Sequence, residues 1–496
     1  MILQSLRKDS VTYRIIGIET ELGCMVQPQT MQTQRLKASP EGVAANIRDY
    51  VFKHLELGIP DLHYRDWGEP PGNGGFLFNG GRLYIDMGHL EYATPECANL
   101  FDAIAYDKAI EHVIMAILKE NRLESHVAFY KNNIDHYTGA TFGCHENYQA
   151  RRDVPFYRIV IPTLLPFFVT RQIYAGAGRV GAYDDIMEFG DGQYSQDDFI
   201  GYQISQRADH IVTEIYEWIQ FSRAIINTRD EPLSDYTKYR RLHLLVGDTN
   251  MSEYASALKI GTTVLILDAI ERHYERYGEK LPIPDLELVD PIAAIRYISR
   301  DTTLTWDVDL QNGQTVTAID IQRKYLNFVQ DMMTRPNETT QWILTEWENV
   351  LDDLETDWTR LTTRLDWAAK KWFLDALVEE EGLDWDDQWL KSLDLEYHNI
   401  DPETGIFYAL QSEGCMRRVI TDHQISHAIT NPPINTRARV RGYLMRNLKK
   451  HKMQCIVDWH HIYAGQTECY EMKEPLDTSL PNARRWLNLL KLRQRM

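Results

Sequence analysis

Residues 80–96 read GGRLYIDMGHLEYATPE. Arg82, Tyr84 and Asp86 alternate there with Leu83 and Ile85, so on a strand a cation, a phenol and a carboxylate share one face. A turn at Gly88 separates them from Glu91 and Thr94. Arginine offers a planar fork for phosphate oxygens, aspartate a proton acceptor or metal ligand, and Glu91 and Thr94 add a carboxylate and a hydroxyl. A half-exposed edge strand accounts for the alternation, but not for the fit of these groups to a metal–phosphate unit. The stretch IETE repeats the pattern: Glu19 and Glu21 point to one face, Ile18 and Leu22 to the other. Two carboxylates this close repel each other unless a positive group or water compensates. If they are exposed they are merely solvated; if they line a cleft, the absence of His or Cys in the run favours Mg²⁺ over zinc.

Three further clusters carry charge in a chemically suggestive pattern. GCHENY sets His145, Glu146 and Asn147 in a row, a weak signal by itself. INTRDEP followed by KYRRLHLLVGDTN concentrates Arg229, Arg240, Arg241 and His243, which suits an anionic ligand or structural ion pairs equally. TRARVRG supplies Arg437, Arg439 and Arg441 ahead of Trp459 and His460, an aromatic and a set of cations that could stack a purine and hold its phosphates. There is no P-loop, no dinucleotide-binding glycine fingerprint after a strand, no kinase motif set, no nucleophile elbow and no H-E-x-x-H. A nucleotide bound here lies on a sheet lined with carboxylates and arginines.

The elements that must position these groups come from 496 residues, 44% of them hydrophobic, enough for one large domain and a smaller one. The formal net charge of −19 argues against sequence-independent binding to nucleic acid. Six scattered cysteines form no C-x-x-C pair, as expected of reduced thiols. MILQSLRKDS lacks an apolar signal core and no apolar run reaches membrane-spanning length, so we expect a soluble, cytoplasmic protein without a membrane partner. Strands and helices mix without regular β-α-β alternation, which predicts an α+β fold. VTYRIIGIETELG predicts an opening strand, SPEGVAANIRDYVFKHL a capped helix and FDAIAYDKAIEHVIMAILKE an amphipathic helix. Residues 58–76 read as a loop, HVAFYKNN and GATFGCHENYQA as a strand pair around a turn, and residues 182–200 as a mobile acidic loop. QRADHIVTEIYEWIQ reads as a helix, YRRLHLLVGDTN as a strand, residues 315–378 as long amphipathic helices, and NPPINTRARVRG as a linker.

Taken in order, IIGIETELG, FNGGRLYIDMGHLEYATPEC, YKNN, FGCHENY, LLPFFVTRQ, ISQRADHI, INTRDEP, KYRRLHLLVGDTNM, LKIGT, NPPINTRARVRG and VDWHH resemble the family of the Pup ligase PafA and the depupylase Dop. That family is related to the glutamine-synthetase-like carboxylate-amine ligases. The resemblance implies a large domain (1–415) with a curved antiparallel sheet backed by helices, and a small C-terminal domain (416–496). It implies ATP and Mg²⁺ as cofactors, with Glu19, Tyr84 and Glu91 as metal ligands, Arg82, Thr94 and Trp459 at ATP, and Asp86 as the catalytic base. Glu21 and Glu146 are assigned to the metal, and Arg241 and His243 to the nucleotide, on motif position. The implied partners are a small Pup-like modifier ending in Glu and target proteins with accessible lysines. IETE, AIDIQRKY and VDWHH resemble the ligase, whereas MGHLEY, GRVG and DWAAK resemble the depupylase. The reading adopted is a ligase. The alternatives are isopeptide hydrolysis, a small-molecule glutamate ligase, and a nucleotide-binding homologue without turnover.

Overall fold

The computed structural model describes residues 14–27, 39–65, 69–135, 139–181, 201–218, 222–301, 303–465 and 468–493. The alternation in IETE is realised in β1 (Ile16–Val26), which buries Ile16, Ile18, Thr20 and Leu22. Two strands pair with it antiparallel, β5 (His89–Ala93) on one edge and β7 (Cys144–Arg151) on the other. Beyond β5 lie β4 (Arg82–Asp86), β3 (Gly74–Leu77) and β2 (Gly58–Pro60); beyond β7 lie β12 (Tyr239–Leu244), β11 (Ala224–Asn227) and β10 (Thr213–Tyr216). A tenth strand, β6 (Val127–Tyr130), pairs with the second half of β1, from Gly23 to Val26. Among the described residues every pairing in this sheet is antiparallel except β10 with β11. Two minor hairpins lie in the large unit, β8 (Arg179–Val180) with β9 (Tyr202–Gln203) and β13 (Asp307–Asp309) with β14 (Thr315–Thr317), and the C-terminal unit has its own antiparallel sheet of β15 (Cys455–Val457), β16 (His461–Ala464) and β17 (Glu468–Glu471).

Helices cover the apolar face of the large sheet. Helix α1 (Pro40–Lys53) starts as its sequence predicts, with Ser39 accepting a hydrogen bond from the Gly42 amide. Helix α2 (Leu100–Glu120) is capped by Asn99 and packs under β1, where the Thr20 hydroxyl donates to Asp107 at 2.7 Å. Helices α3 (Ile161–Ala175) and α4 (Glu253–Tyr277) extend this layer, and Ala318–Met332, Glu338–Thr356 and Asp366–Glu381 form the amphipathic run expected between 315 and 378. Helix α5 (Ala438–Lys450), β15–β17 and the final helix Leu480–Arg493 enclose a separate core that borrows Phe76 from β3.

Four expectations are corrected. Residues 58–76 hold β2 and β3 rather than a plain loop. The glycines serve close strand approach: a Cβ on Gly58 would stand 2.2 Å from the Phe76 carbonyl oxygen, and one on Gly75 2.3 Å from that of Ile59. The described part of QRADHIVTEIYEWIQ, Gln206 to Trp218, holds no α-helix; Ala208–His210 is a short 3₁₀ turn, and the β-branched run that follows enters the sheet as β10. HVAFYKNN and GATFGCHENYQA do meet at the expected turn, through an antiparallel bridge of Ile134 with Thr141 and a hydrogen bond from the Gly139 amide to the Asp135 carbonyl at 2.8 Å, but they form no longer ladder, since β6 and β7 each pair with a different half of β1. NPPINTRARVRG becomes helical at Ala438. The helix Asp422–Thr430 packs on α2 and places Ile425 and Ala428 in the large core, so we propose the division between the units after Thr430. The acidic segment 182–200 lies outside the described residues.

Candidate nucleotide and metal site

Strand order decides which polar side chains meet. Registers place Tyr84 opposite Glu91, and Glu91 opposite Glu21, across three adjacent strands. On the far edge of β1, Glu19 stands opposite His145, and Asn147 opposite His243 of β12. The face left bare by the helices thus carries Arg82, Tyr84 and Asp86 from β4, Glu91 from β5, Glu19 and Glu21 from β1, His145, Asn147 and Gln149 from β7, and Arg241 and His243 from β12.

Two groups of candidate ligands result. Carboxylate oxygens of Glu21, Asp86 and Glu91 lie within 4.8 Å of one another, as do ligand atoms of Glu19, His145 and His243. Burial, opposed by His145 and reinforced by Asp86, pushes Glu21 up to about 6. Burial together with the Glu21, Glu19 and Asp86 charges pushes Glu91 well above the usual carboxylate range, although Tyr84 shares a hydrogen bond with it. Crowded, buried oxygen donors of this kind fit a hard divalent cation, whose charge relieves their repulsion. Burial also raises Glu19, but the hydrogen bond with His145 and the His243, His145 and Arg241 charges outweigh it and hold the carboxyl at about 2. Asn147 Nδ2 donates to Glu19 at 3.0 Å. His243 is pushed well down by burial and by Arg241, and neither ring nitrogen has a hydrogen-bond partner. Its Nε2 lies 3.8 Å from Glu19.

Beside these groups a cavity of about 100 Å³ is lined by Glu19, Thr94, Asn147, Arg241, Trp459 and neighbouring residues. Thr94 Oγ1 accepts from the Ile18 amide at 3.0 Å, which ties the end of β5 to β1. Trp459 is brought in by the C-terminal unit and packs edge-on against Phe76. Glu19, Thr94, Arg241 and Trp459, predicted from four distant motifs, therefore share one cavity, with Glu21, Tyr84, Asp86 and Glu91 on the adjoining strands.

Other placements differ from expectation. Glu146 is on the opposite face of β7, because strand side chains alternate. It pairs through both oxygens with buried Arg171, at 2.6 and 2.9 Å, and accepts from Tyr148 at 2.5 Å, which removes it from the metal set. Arg82 lies over the Tyr84 ring at 4.4 Å, yet its guanidinium binds Asp61 at 3.2 Å and Glu69 at 2.5 Å, acids that occupy the donors expected to meet phosphate. Arg437 and Arg441 are not free for a nucleotide: both bind the buried Glu96 carboxylate, at 2.7 and 2.5 Å. Arg207 went unnoticed in the sequence; it is buried, its charge acts on Glu21, and burial and Arg223 lower it to about 10. Gln149 was also missed, although continuing the alternation of GCHENYQ two residues past Asn147 would have found it.

The family model described as "Pup-ligase protein" matches residues 14–463. The Pup–protein ligase of Nakamurella multipartita is 38% identical over 462 residues, covering 90% of this chain and 93% of that protein. The Pup deamidase/depupylase of Mycolicibacterium smegmatis is 40% identical over 458 residues, covering 87% and 88%. The crystal structure of the complex between the prokaryotic ubiquitin-like protein Pup and its ligase PafA superposes with a TM-score of 0.80 at 32% identity, covering 98% of this chain and 92% of that one. The polar sheet face, its two ligand groups and the adjoining cavity are thus carried by a chain that belongs to the Pup-ligase protein family.

Proposed function

We propose that this chain is an ATP-dependent ligase that joins the side-chain carboxylate of a C-terminal Glu, on a Pup-like modifier, to lysine amines of target proteins. The observation that carries this reading is the row of Glu21, Asp86 and Glu91, which three separate strands bring to one face beside the Trp459 cavity. A carboxylate is a poor electrophile. Transfer of the ATP γ-phosphoryl group to it yields ADP and an acyl phosphate; attack by the amine then forms the isopeptide bond and releases phosphate. Glu19, Glu21 and Glu91, with Tyr84 holding Glu91, would bind Mg²⁺. When bound, the ion neutralises phosphate charge during phosphoryl transfer. Arg241 faces the same cavity, where a cation suits the nucleotide's phosphates. Thr94 and Trp459 shape its nucleoside end. Asp86 accepts the proton that the attacking ammonium must lose.

The pure protein, ATP, Mg²⁺, a Glu-ended modifier and a lysine-bearing protein should give a mass-shifted conjugate and ADP. Asp86→Asn should lower conjugation by about 10²–10⁴-fold while nucleotide binding is retained; undiminished conjugation refutes the assignment of the base. Isopeptide hydrolysis is the second reading. It is favoured by the 40% identity to a depupylase and by the two-residue turn of Met87 and Gly88 between β4 and β5. Cleavage of a preformed conjugate, with no conjugate formed from free modifier, decides for it.

A further inference from the structure

Four residues along β7 separate His145, opposite Glu19, from Gln149, about 13 Å farther from the ligand groups at strand rise. Gln149 lines the same cavity as Trp459, Leu233 and Pro475. Its backbone is fixed, the amide donating to the Ile15 carbonyl at 3.0 Å. Its side-chain Nε2, in contrast, is buried without a hydrogen-bond partner. A buried amide donor left unpaired is unfavourable unless a ligand completes it. The floor between Gln149 and Glu19 is Gly17, on the polar face of β1; a Cβ there would meet only Asn147 Cβ, at 3.6 Å, so the missing side chain is not required by packing within the sheet. Arg241 stands opposite Gln149 on β12 and also leaves its Nε unpaired, so this end of the cavity offers a cation beside a neutral amide donor. A bare backbone floor, the apolar walls of Ile15, Leu233 and Pro475 and the unpaired Gln149 amide match a flat heteroaromatic ring that carries an acceptor nitrogen.

We propose that Gln149 reads the base of the bound nucleotide, its Nε2 donating to a ring nitrogen of adenine that lies over Gly17. This rests on the nucleotide reading of the site and assigns its base-recognising residue. Gln149 is a specificity residue, remote from the atoms that react.

The test is equilibrium binding of ADP with Mg²⁺ to the full-length protein, set against 1-deaza-, 3-deaza- and 7-deaza-ADP, each lacking one ring acceptor, and 2′-deoxy-ADP. The wild type should bind one deaza analogue about 3–10-fold more weakly than ADP, the range of a single neutral hydrogen bond. Gln149→Met and Gln149→Leu should lose that same factor for ADP and bind ADP and that analogue equally. Both variants should keep or raise the melting temperature of the unliganded protein, because they remove an unpaired donor; a packing role predicts a lower one. Gly17→Val should weaken ADP binding by filling the floor. The inference is overturned if Gln149→Met binds ADP as tightly as the wild type, if it still discriminates among the deaza analogues as the wild type does, or if only 2′-deoxy-ADP loses its penalty in the variant. A wild type that binds no nucleotide overturns the nucleotide reading of the site as well, so the two failures are distinct.

Discussion

Glu96→Gln probes how the C-terminal unit is fastened to the sheet. Glu96 follows β5 and is buried with Arg437 and Arg441, whose guanidinium groups it binds at 2.7 and 2.5 Å. Arg441 also donates to the carbonyl oxygens of Gly80 and Trp459, so the same guanidinium ties α5 to the β3–β4 turn and to the loop that carries Trp459. Burial raises Glu96, but the two arginines outweigh it and hold the carboxyl at about 2 against a reference of 4.5. That difference of 2.5 units corresponds to about 3 kcal/mol. Because the folded pKa is depressed, this stability is present above pH 4.5 and is lost as pH falls toward 2. Glutamine keeps the shape but leaves two buried cations without a countercharge, a change worth about 3–5 kcal/mol, in accord with the first figure. A chain with two cores need not unfold in one step, so hydrogen exchange resolved by segment is the suitable assay. Amides of α5 should exchange about a hundredfold faster in Glu96→Gln, while those of α4 in the large core keep their rates. A change in α5 below about threefold, or an equal acceleration in α4, would refute the role of this ion triad as the local fastening.

Two further predictions follow from the sheet. Glu146→Gln should lower the melting temperature, since it strips buried Arg171 of its countercharge at a loss of about 3–5 kcal/mol, yet leave Mg²⁺ affinity by calorimetry within twofold; a lost metal site with unchanged stability would return Glu146 to the ligand set. In chelator, the folded Glu21 carboxyl titrates near 6 rather than 4.5, so its contribution is present below pH 4.5 and is lost as pH rises through 6, a decline of about 2 kcal/mol. Glu21→Gln should flatten that part of the stability–pH curve measured by thermal melting, and an unchanged slope contradicts the crowding of Glu21, Asp86 and Glu91.

The alternating residues of β1 and β4, the Ser39 cap of α1 and the long amphipathic helices were legible in sequence, because each depends on neighbours within a few positions along the chain. The same short-range information misled where one composition serves two ends. Gly58 and Gly75 looked like loop residues, although their missing Cβ atoms let strands touch. Thr213–Tyr216, inside a stretch that reads as a helix, were taken into the sheet as β10 by pairing with β11.

The sequence by itself determined the family, the α+β class, and which side chains share a face within each strand. Cross-strand adjacency is set by register between segments far apart in the chain, so only tertiary structure decided that Glu21, Asp86 and Glu91 converge, and that Glu146 turns to Arg171. It also decided that Arg437 and Arg441 belong to Glu96, because a buried carboxylate must find its cations wherever the chain folds them, and no local pattern records that requirement.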